Sequence, residues 1–220
     1  MHLLPKGGGA CFFLCPPLDF KWRLVIFYEN GTMAEIKAEQ DGVILRRAWA
    51  MPNKNTFSIK PFKELIETWR DKIGAKVIVD PFANTSKFGT VTNDIDPSMP
   101  TDYHMNARDF LQMFEDNSVD MVLYDPPFSP NQVKTCYTKL NMTVDWESTS
   151  ASFWSQQKAE IGRILKEGGI CITFGWNSGG VGKKYGMETR EILFVAHGGG
   201  HNDTFAVVDE KIAKTDAEKD

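Results

Sequence analysis

The sequence predicts an α/β domain: helices packed on a mostly parallel sheet of seven strands, the last two forming an antiparallel hairpin. Three observations predict it. Apolar runs of strand length alternate with helical stretches from residue 61 onward, the pattern of strands joined by crossover helices. Several of those runs end in an acid next to a turn residue, and in open sheets the crevice beyond the carboxyl ends of the strands is where ligands sit. The final two runs are separated only by HGGGHND, a glycine-rich turn suited to a hairpin.

The first element is a helix over 61–73. Pro61 suits a first turn, and Phe62, Leu65, Ile66 and Trp69 recur at helical spacing. Strands follow at 76–79, 90–92 and 103–106. The connection DPSMPTD before the last of these holds Pro97 and Pro100, which exclude a helix of useful length. A short helix at 109–115, a strand at 121–124, a longer helix at 152–165, a strand at 169–174 and hairpin strands at 191–196 and 204–208 complete the chain.

Residues 1–32 differ in character from the rest of the chain. ACFFLC is too short to cross a membrane, and a basic segment with a cleavage site is missing, so neither an anchor nor a signal peptide is expected. Two readings stay open: an extension upstream of a start at Met33, or a strand RLVIFY docked onto the sheet. Residues 33–220 are expected to form one domain, since 220 residues are too few for two full cores.

Hydrophobic residues at 42% and charged residues at 25% exclude a disordered or fibrous chain. The net charge of -4 does not announce a nucleic-acid binder, but the distribution is uneven. Arg46, Arg47, Lys54, Lys60 and Lys63 form a basic stretch, whereas residues 94–125 hold eight acids against Arg108. Cys11, Cys15, Cys136 and Cys171 lack the spacing of a zinc site or a disulfide framework, which fits a reducing cytoplasm and no metal. His197 and His201 flank three glycines and read as loop residues. Trp146 and Trp154 read as core.

The chemistry sits at the strand ends. KVIVDPFANTS ends in Asp80, TVTNDIDP in Asp94 and Asp96, HMNARDF in Asp109 and VDMVLYDPPF in Asp125. Neighbouring carboxylates repel unless a ligand occupies the gap. S-adenosylmethionine suits such a gap: its ribose hydroxyls need paired acceptors, and its ammonium and sulfonium groups favour anions. By position, Asp94 takes the ribose, Asp109 the adenine amine with Phe110 against the ring, and Asp80 the methionine ammonium.

DPPF at Asp125, Pro126, Pro127 and Phe128 matches the signature [DNS]-P-P-[YFW]. The chain thus resembles the amino-methyltransferases that methylate the exocyclic amine of adenine in DNA. DPF-A, from Asp80 through Phe82 to Ala83, matches the first half of that family's cofactor loop. More narrowly, MPNKNTFSIKP, DPFA, NDIDP, DPPF, GWNS and AHGGGHND resemble small phage, archaeal and bacterial adenine-specific enzymes over residues 51–211. The resemblance implies a Rossmann-like class I methyltransferase fold, S-adenosylmethionine as cofactor, and DNA with a flipped-out adenine as partner. It also implies that Thr56, Phe57 and Lys60 close over the methionine end, while the residues themselves read equally as a plain helix entry. One departure is ANTSKFG, which stands where the family has glycines and puts cofactor affinity in doubt.

An adenine amine is a poor nucleophile because its lone pair is delocalised into the ring. The Asp125 side chain and the Pro126 carbonyl are expected to accept its two N–H groups, with Phe128 stacked on a base turned out of the duplex. Lys183 and Lys184 are candidates for phosphate contact. Base specificity is expected from loops 129–150 and 177–190, from the N-terminal arm or from a partner. The same acceptor geometry also fits an RNA adenine or a protein amide, and a silent binding subunit of this fold is a further alternative.

Overall fold

The computed structural model describes residues 10–13, 23–29, 32–40, 42–143 and 150–213. Cys15, Trp146 and much of the 1–32 segment lie outside the described residues. Among the described residues ten strands make one sheet: β1 (Ala10–Phe13), β2 (Arg23–Glu29), β3 (Thr32–Gln40), β4 (Val43–Trp49), β5 (Ile78–Asp80), β6 (Val91–Thr92), β7 (Val119–Tyr124), β8 (Leu165–Gly175), β9 (Met187–Ala196) and β10 (Thr204–Lys211). Their order is β1-β2-β3-β4-β9-β10-β8-β7-β5-β6. Among the described residues four α-helices accompany them: α1 (Lys60–Ile73), α2 (Ala107–Gln112), α3 (Pro130–Lys139) and α4 (Ala151–Ile164).

The expected parallel run is present as β6-β5-β7-β8, and β10 returns antiparallel between β8 and β9. This is a Rossmann-like arrangement, as expected. The sheet is wider than the seven strands expected, because β1 to β4 form an antiparallel meander that joins through β4, parallel to β9. The RLVIFY segment is strand β2 within that meander.

The strand expected at 103–106 is reduced to one bridge between Asn93 and Tyr103. The cause is local. The Asp102 carboxylate accepts from the Thr92 amide at 2.9 Å and the Thr92 hydroxyl at 2.8 Å, and so takes a donor a longer ladder would have used. Segment 129–150, expected as a loop, contains α3: Ser129 caps its start, Pro130 follows in the first turn, and Val133 and Tyr137 are buried.

Helix α1 begins with Pro61 in its first turn and stops at Gly74, whose φ of 62° ends it in the left-handed region. It buries Phe62, Leu65, Ile66 and Trp69 against one face of the sheet, each worth about 1.5–3 kcal/mol for an aliphatic or phenyl side chain. Helices α2 and α4 cover the other face through Phe110, Leu111, Ile161 and Ile164. With both faces packed over β5, β7 and β8, the remaining outlet for functional groups is the carboxyl edge of those strands. Among the described residues, no helix is long and apolar enough to cross a membrane.

Candidate active site

Beyond the carboxyl ends of β5, β6 and β7 lies a cavity of about 850 Å³, closed on its sides by residues 54–58 and by α3. Its volume falls in the upper part of the range of small-molecule sites. Asp125, Pro126, Pro127 and Phe128 line it, together with Thr56, Phe57, Phe82, Ala83, Asp94 and Asp96.

The turn after β7 is held on two sides, by Trp154 outside the cavity and by Gln132 in its wall. The Trp154 indole N–H on α4 donates to the Pro127 carbonyl at 3.0 Å, and the Gln132 side chain on α3 accepts from the Phe128 amide. One turn along α4 from Trp154, Gln157 accepts from the Tyr124 hydroxyl at 2.9 Å. Trp154, expected as plain core, is half-buried and braces this turn. Among the described residues no donor takes the Pro126 carbonyl. Phe128 packs edge-on to Trp176, ring centroids 5.5 Å apart.

Asp125 Oδ1 is buried without a partner. Burial pushes the Asp125 carboxyl up to about 6, against the downward pull of the Thr56 hydroxyl that donates to it. Thr56 therefore reaches the reactive turn from the facing segment. Its neighbour Phe57 is mainly structural, buried against Phe174 at 4.9 Å and Phe88 at 6.1 Å.

Asp80 ends β5 fully buried and, unlike Pro81 and Phe82 after it, does not line the cavity, so the expected direct contact with the methionine ammonium is not formed by its position. Oδ1 accepts from the Phe82 amide at 3.2 Å, and Oδ2 has no partner. Burial raises this carboxyl well above the ordinary range; the Phe82 amide pulls it down, and the charges of Asp125 and Asp94 raise it further. The mutual repulsion expected among the strand-end acids is thus concentrated in Asp80.

The missing glycines have a structural replacement. Asn84 stands with φ 50°, in the left-handed region that asparagine enters more readily than most residues. Its amide donates to Asp94 Oδ2 at 2.9 Å, while Asp94 Oδ1 accepts from the Asp96 amide at 2.9 Å. Gly89 supplies close approach: a Cβ there would lie 2.8 Å from the Asp80 Cβ. Asn93, for which no sequence motif prepared a role, is fully buried and joins three segments through the Pro81 carbonyl at 3.1 Å and the Met105 carbonyl and amide at 3.0 Å each.

Several expected residues are not brought to the cavity. Helix α2 starts at Ala107, so Asp109 is turned outward and exposed, and Phe110 points into the core against Tyr103 at 5.5 Å and Phe114 at 5.3 Å. Met105, Asn106 and Ala107 line the cavity in their place. Lys183 and Lys184 are exposed in a 3-10 turn just before β9. Met187 pairs with Lys211, and the neighbouring Glu210 pairs with Ile170 near the start of β8, so both lysines lie at the amino edge, opposite the cavity. Lys60 is exposed on α1 beside Glu64. His197 is buried, its ring nitrogens engaged by the Ala50 carbonyl at 2.7 Å and the Thr204 hydroxyl at 3.1 Å. Among the described residues no cluster of metal-ligating side chains occurs.

No protein-family model matches the sequence, nor does any curated protein. Solved structures share the fold at a distance. The 1,6-didemethyltoxoflavin-N1-methyltransferase of Burkholderia thailandensis, solved with S-adenosylhomocysteine, is 9% identical with a TM-score of 0.48, covering 69% of this chain and 78% of that one. TrmN from Thermus thermophilus is 16% identical with a TM-score of 0.44, covering 67% of this chain. NSun6 from Pyrococcus horikoshii is 15% identical with a TM-score of 0.44, covering 63%. This chain spans 48% of the length of each of the last two. Likenesses this distant carry no argument about substrate or cofactor.

Proposed function

We propose that this chain transfers a methyl group from S-adenosylmethionine to the exocyclic 6-amino group of adenine in DNA. One observation carries the reading: a buried, unpartnered carboxylate oxygen of Asp125 in the cavity wall, on a DPPF turn braced by Trp154 and Gln132. Leaving a buried acceptor unpaired costs about 1–3 kcal/mol, so a donor supplied by a ligand relieves it. A planar amine has two N–H groups. Asp125 Oδ1 and the Pro126 carbonyl, left free while its neighbour's carbonyl is used by Trp154, are two acceptors on one short turn.

The residues present fit the proposed cofactor. Asp94, which lines the cavity just past β6, is placed for ribose hydroxyls, and Asp80, buried behind the lining with an orphaned Oδ2, adds to the anionic setting that favours an ammonium group. When bound, S-adenosylmethionine supplies an electrophilic methyl on a positively charged sulfur. The chain's own contribution is positional and electrostatic. Accepting both amine hydrogens draws the nitrogen toward a tetrahedral geometry and frees its lone pair, stabilisation that grows as positive charge develops on nitrogen. An Asp125 carboxylate raised to about 6 by burial is also a competent acceptor for the proton lost after transfer. Phe128 offers its ring to the base.

The test is transfer of tritiated methyl to DNA, RNA and protein, with Asp125→Ala alongside. Label on DNA adenine is expected, with the variant slower by about 100- to 1000-fold. Label retained on adenine by the variant removes the assigned role of Asp125; label found only on RNA or protein replaces the substrate.

A further inference from the structure

The cavity has opposite electrostatics at its two depths. Its inner wall is acidic: Asp125 lines it with an orphaned buried oxygen, Asp94 lines it too, and Asp80 lies fully buried behind that lining. Its lining also includes three exposed lysines, Lys54, Lys87 and Lys139. They come from three separate parts of the chain: the segment before α1, the loop between β5 and β6, and the last residue of α3. Among the described residues none of the three forms an ion pair with a carboxylate, although Lys87 donates to the Pro100 carbonyl at 3.0 Å.

Helix α3 makes this arrangement directional. Asn131, Thr135 and Lys139, four residues apart, share one face and line the cavity; Tyr137 also borders it, and with Val133 and Phe153 ties the helix into a small core. A polar stripe ending in a cation therefore runs along the cavity wall from the DPPF turn. An anionic chain lying across the mouth meets positive charge, and a group inserted from it meets the acceptors below.

We propose that Lys54, Lys87 and Lys139 form the phosphate-contacting rim that seats a nucleic-acid strand, with the polar stripe of α3 alongside the inserted nucleotide. This assignment rests on the reading of the cavity as a methyl-transfer site and replaces the expectation attached to Lys183 and Lys184, which lie on the opposite edge of the sheet. It also gives a chain of negative net charge a local means of binding a polyanion, since attraction to phosphates depends on the charges within about a Debye length rather than on the total.

The experiment measures binding of a fluorescein-labelled adenine-containing oligonucleotide by anisotropy at several salt concentrations, for the full chain and for Lys54→Ala, Lys139→Ala and the Lys183→Ala/Lys184→Ala double variant. Circular dichroism melting checks that each folds. The slope of log K against log salt is expected to fall in magnitude by about 0.7–0.9 for each rim lysine removed, and to stay unchanged in the double variant. An unaltered slope in both rim variants, a loss confined to the double variant, or no binding by the unmodified chain overturns the proposal. Parallel DNA and RNA strands separate the two inferences. Rim-dependent binding without methyl transfer to either strand sinks the methyltransferase reading and leaves the rim, whereas methyl transfer with unaltered slopes does the reverse.

Discussion

The two edges of the sheet use charge in contrary ways. At the amino edge, acids are satisfied by the chain itself. Asp120, at the start of β7, accepts from the Val77 and Lys76 amides at 2.8 and 2.9 Å and pairs with Lys166 at 2.6 Å. Nearby, Arg163 pairs with Asp116 at 2.6 Å and Glu160 at 2.7 Å, and Lys211 donates to the Leu165 carbonyl at 2.6 Å. At the carboxyl edge Asp80 and Asp125 each keep an oxygen without a partner. The titration directions agree. Burial pushes Asp120 upward, but Lys166 and the two amides outweigh it and hold the carboxyl below its ordinary range, whereas burial prevails at Asp80 and Asp125. One edge spends its charges on stability and the other holds them for a ligand.

The sharpest way to break this contrast is Asp125→Asn. A carboxyl raised to about 6 in the folded state, from 3.8, favours the folded protein only in its protonated form. Its cost is absent below 3.8, grows as pH rises through that interval and is complete above about 6. The amide is therefore expected to stabilise the protein by up to about 3 kcal/mol at pH 8 and by little at pH 4, read from chemical denaturation. Methyl transfer is lost in the same variant. In the unmodified chain kcat/KM is expected to fall about tenfold per pH unit below about 6, because a protonated Asp125 no longer accepts from the amine. A pH-independent rate between 5 and 8 contradicts the assignment.

A smaller effect is expected behind the turn. Trp154→Phe keeps most of the packing and removes the bond to the Pro127 carbonyl. About a fivefold fall in kcat, with S-adenosylmethionine affinity unchanged by calorimetry, corresponds to one neutral hydrogen bond. Equal changes in both mark a general loosening instead. The smallest effect belongs to the amino edge. Lys166→Ala, which breaks a partly exposed ion pair, is expected to cost no more than about 1 kcal/mol in a denaturation curve and to leave methyl transfer alone.

Much of this architecture is legible in the residues. Pro61 and Gly74 bracket α1 as local rules require, and VDMVLYDPPF announces both a buried strand and the rigid turn after it. Other parts escape a reading of the residues for identifiable reasons. TMAEIKAEQ is built of residues with high helix propensity yet forms β3, because pairing with β2 and β4 outweighs a propensity of a few tenths of a kcal/mol per residue. The Asp-Gly pair before β4 is an available hairpin signal: Gly42 sits at φ 80° in a two-residue connection. Ser129-Pro130 is likewise a usable helix start for α3. The start of α2 lies two residues earlier than expected, at Ala107, and two residues of helix register turn a side chain such as Asp109 about 200° around the axis.

Local chemistry thus determined which groups exist at the strand ends: acids, a double proline and an aromatic, each set by its immediate neighbours in the chain. Only the tertiary structure decided which of them meet. Asp125 touches Thr56, Asn84 reaches Asp94 and Trp154 holds Pro127 across sequence separations that no periodicity encodes. The same packing set Lys183 and Lys184 at the edge away from the cavity and gathered Lys54, Lys87 and Lys139 around it. The physical reason is that a side chain's identity is written locally, whereas its burial and partners depend on how distant strands align.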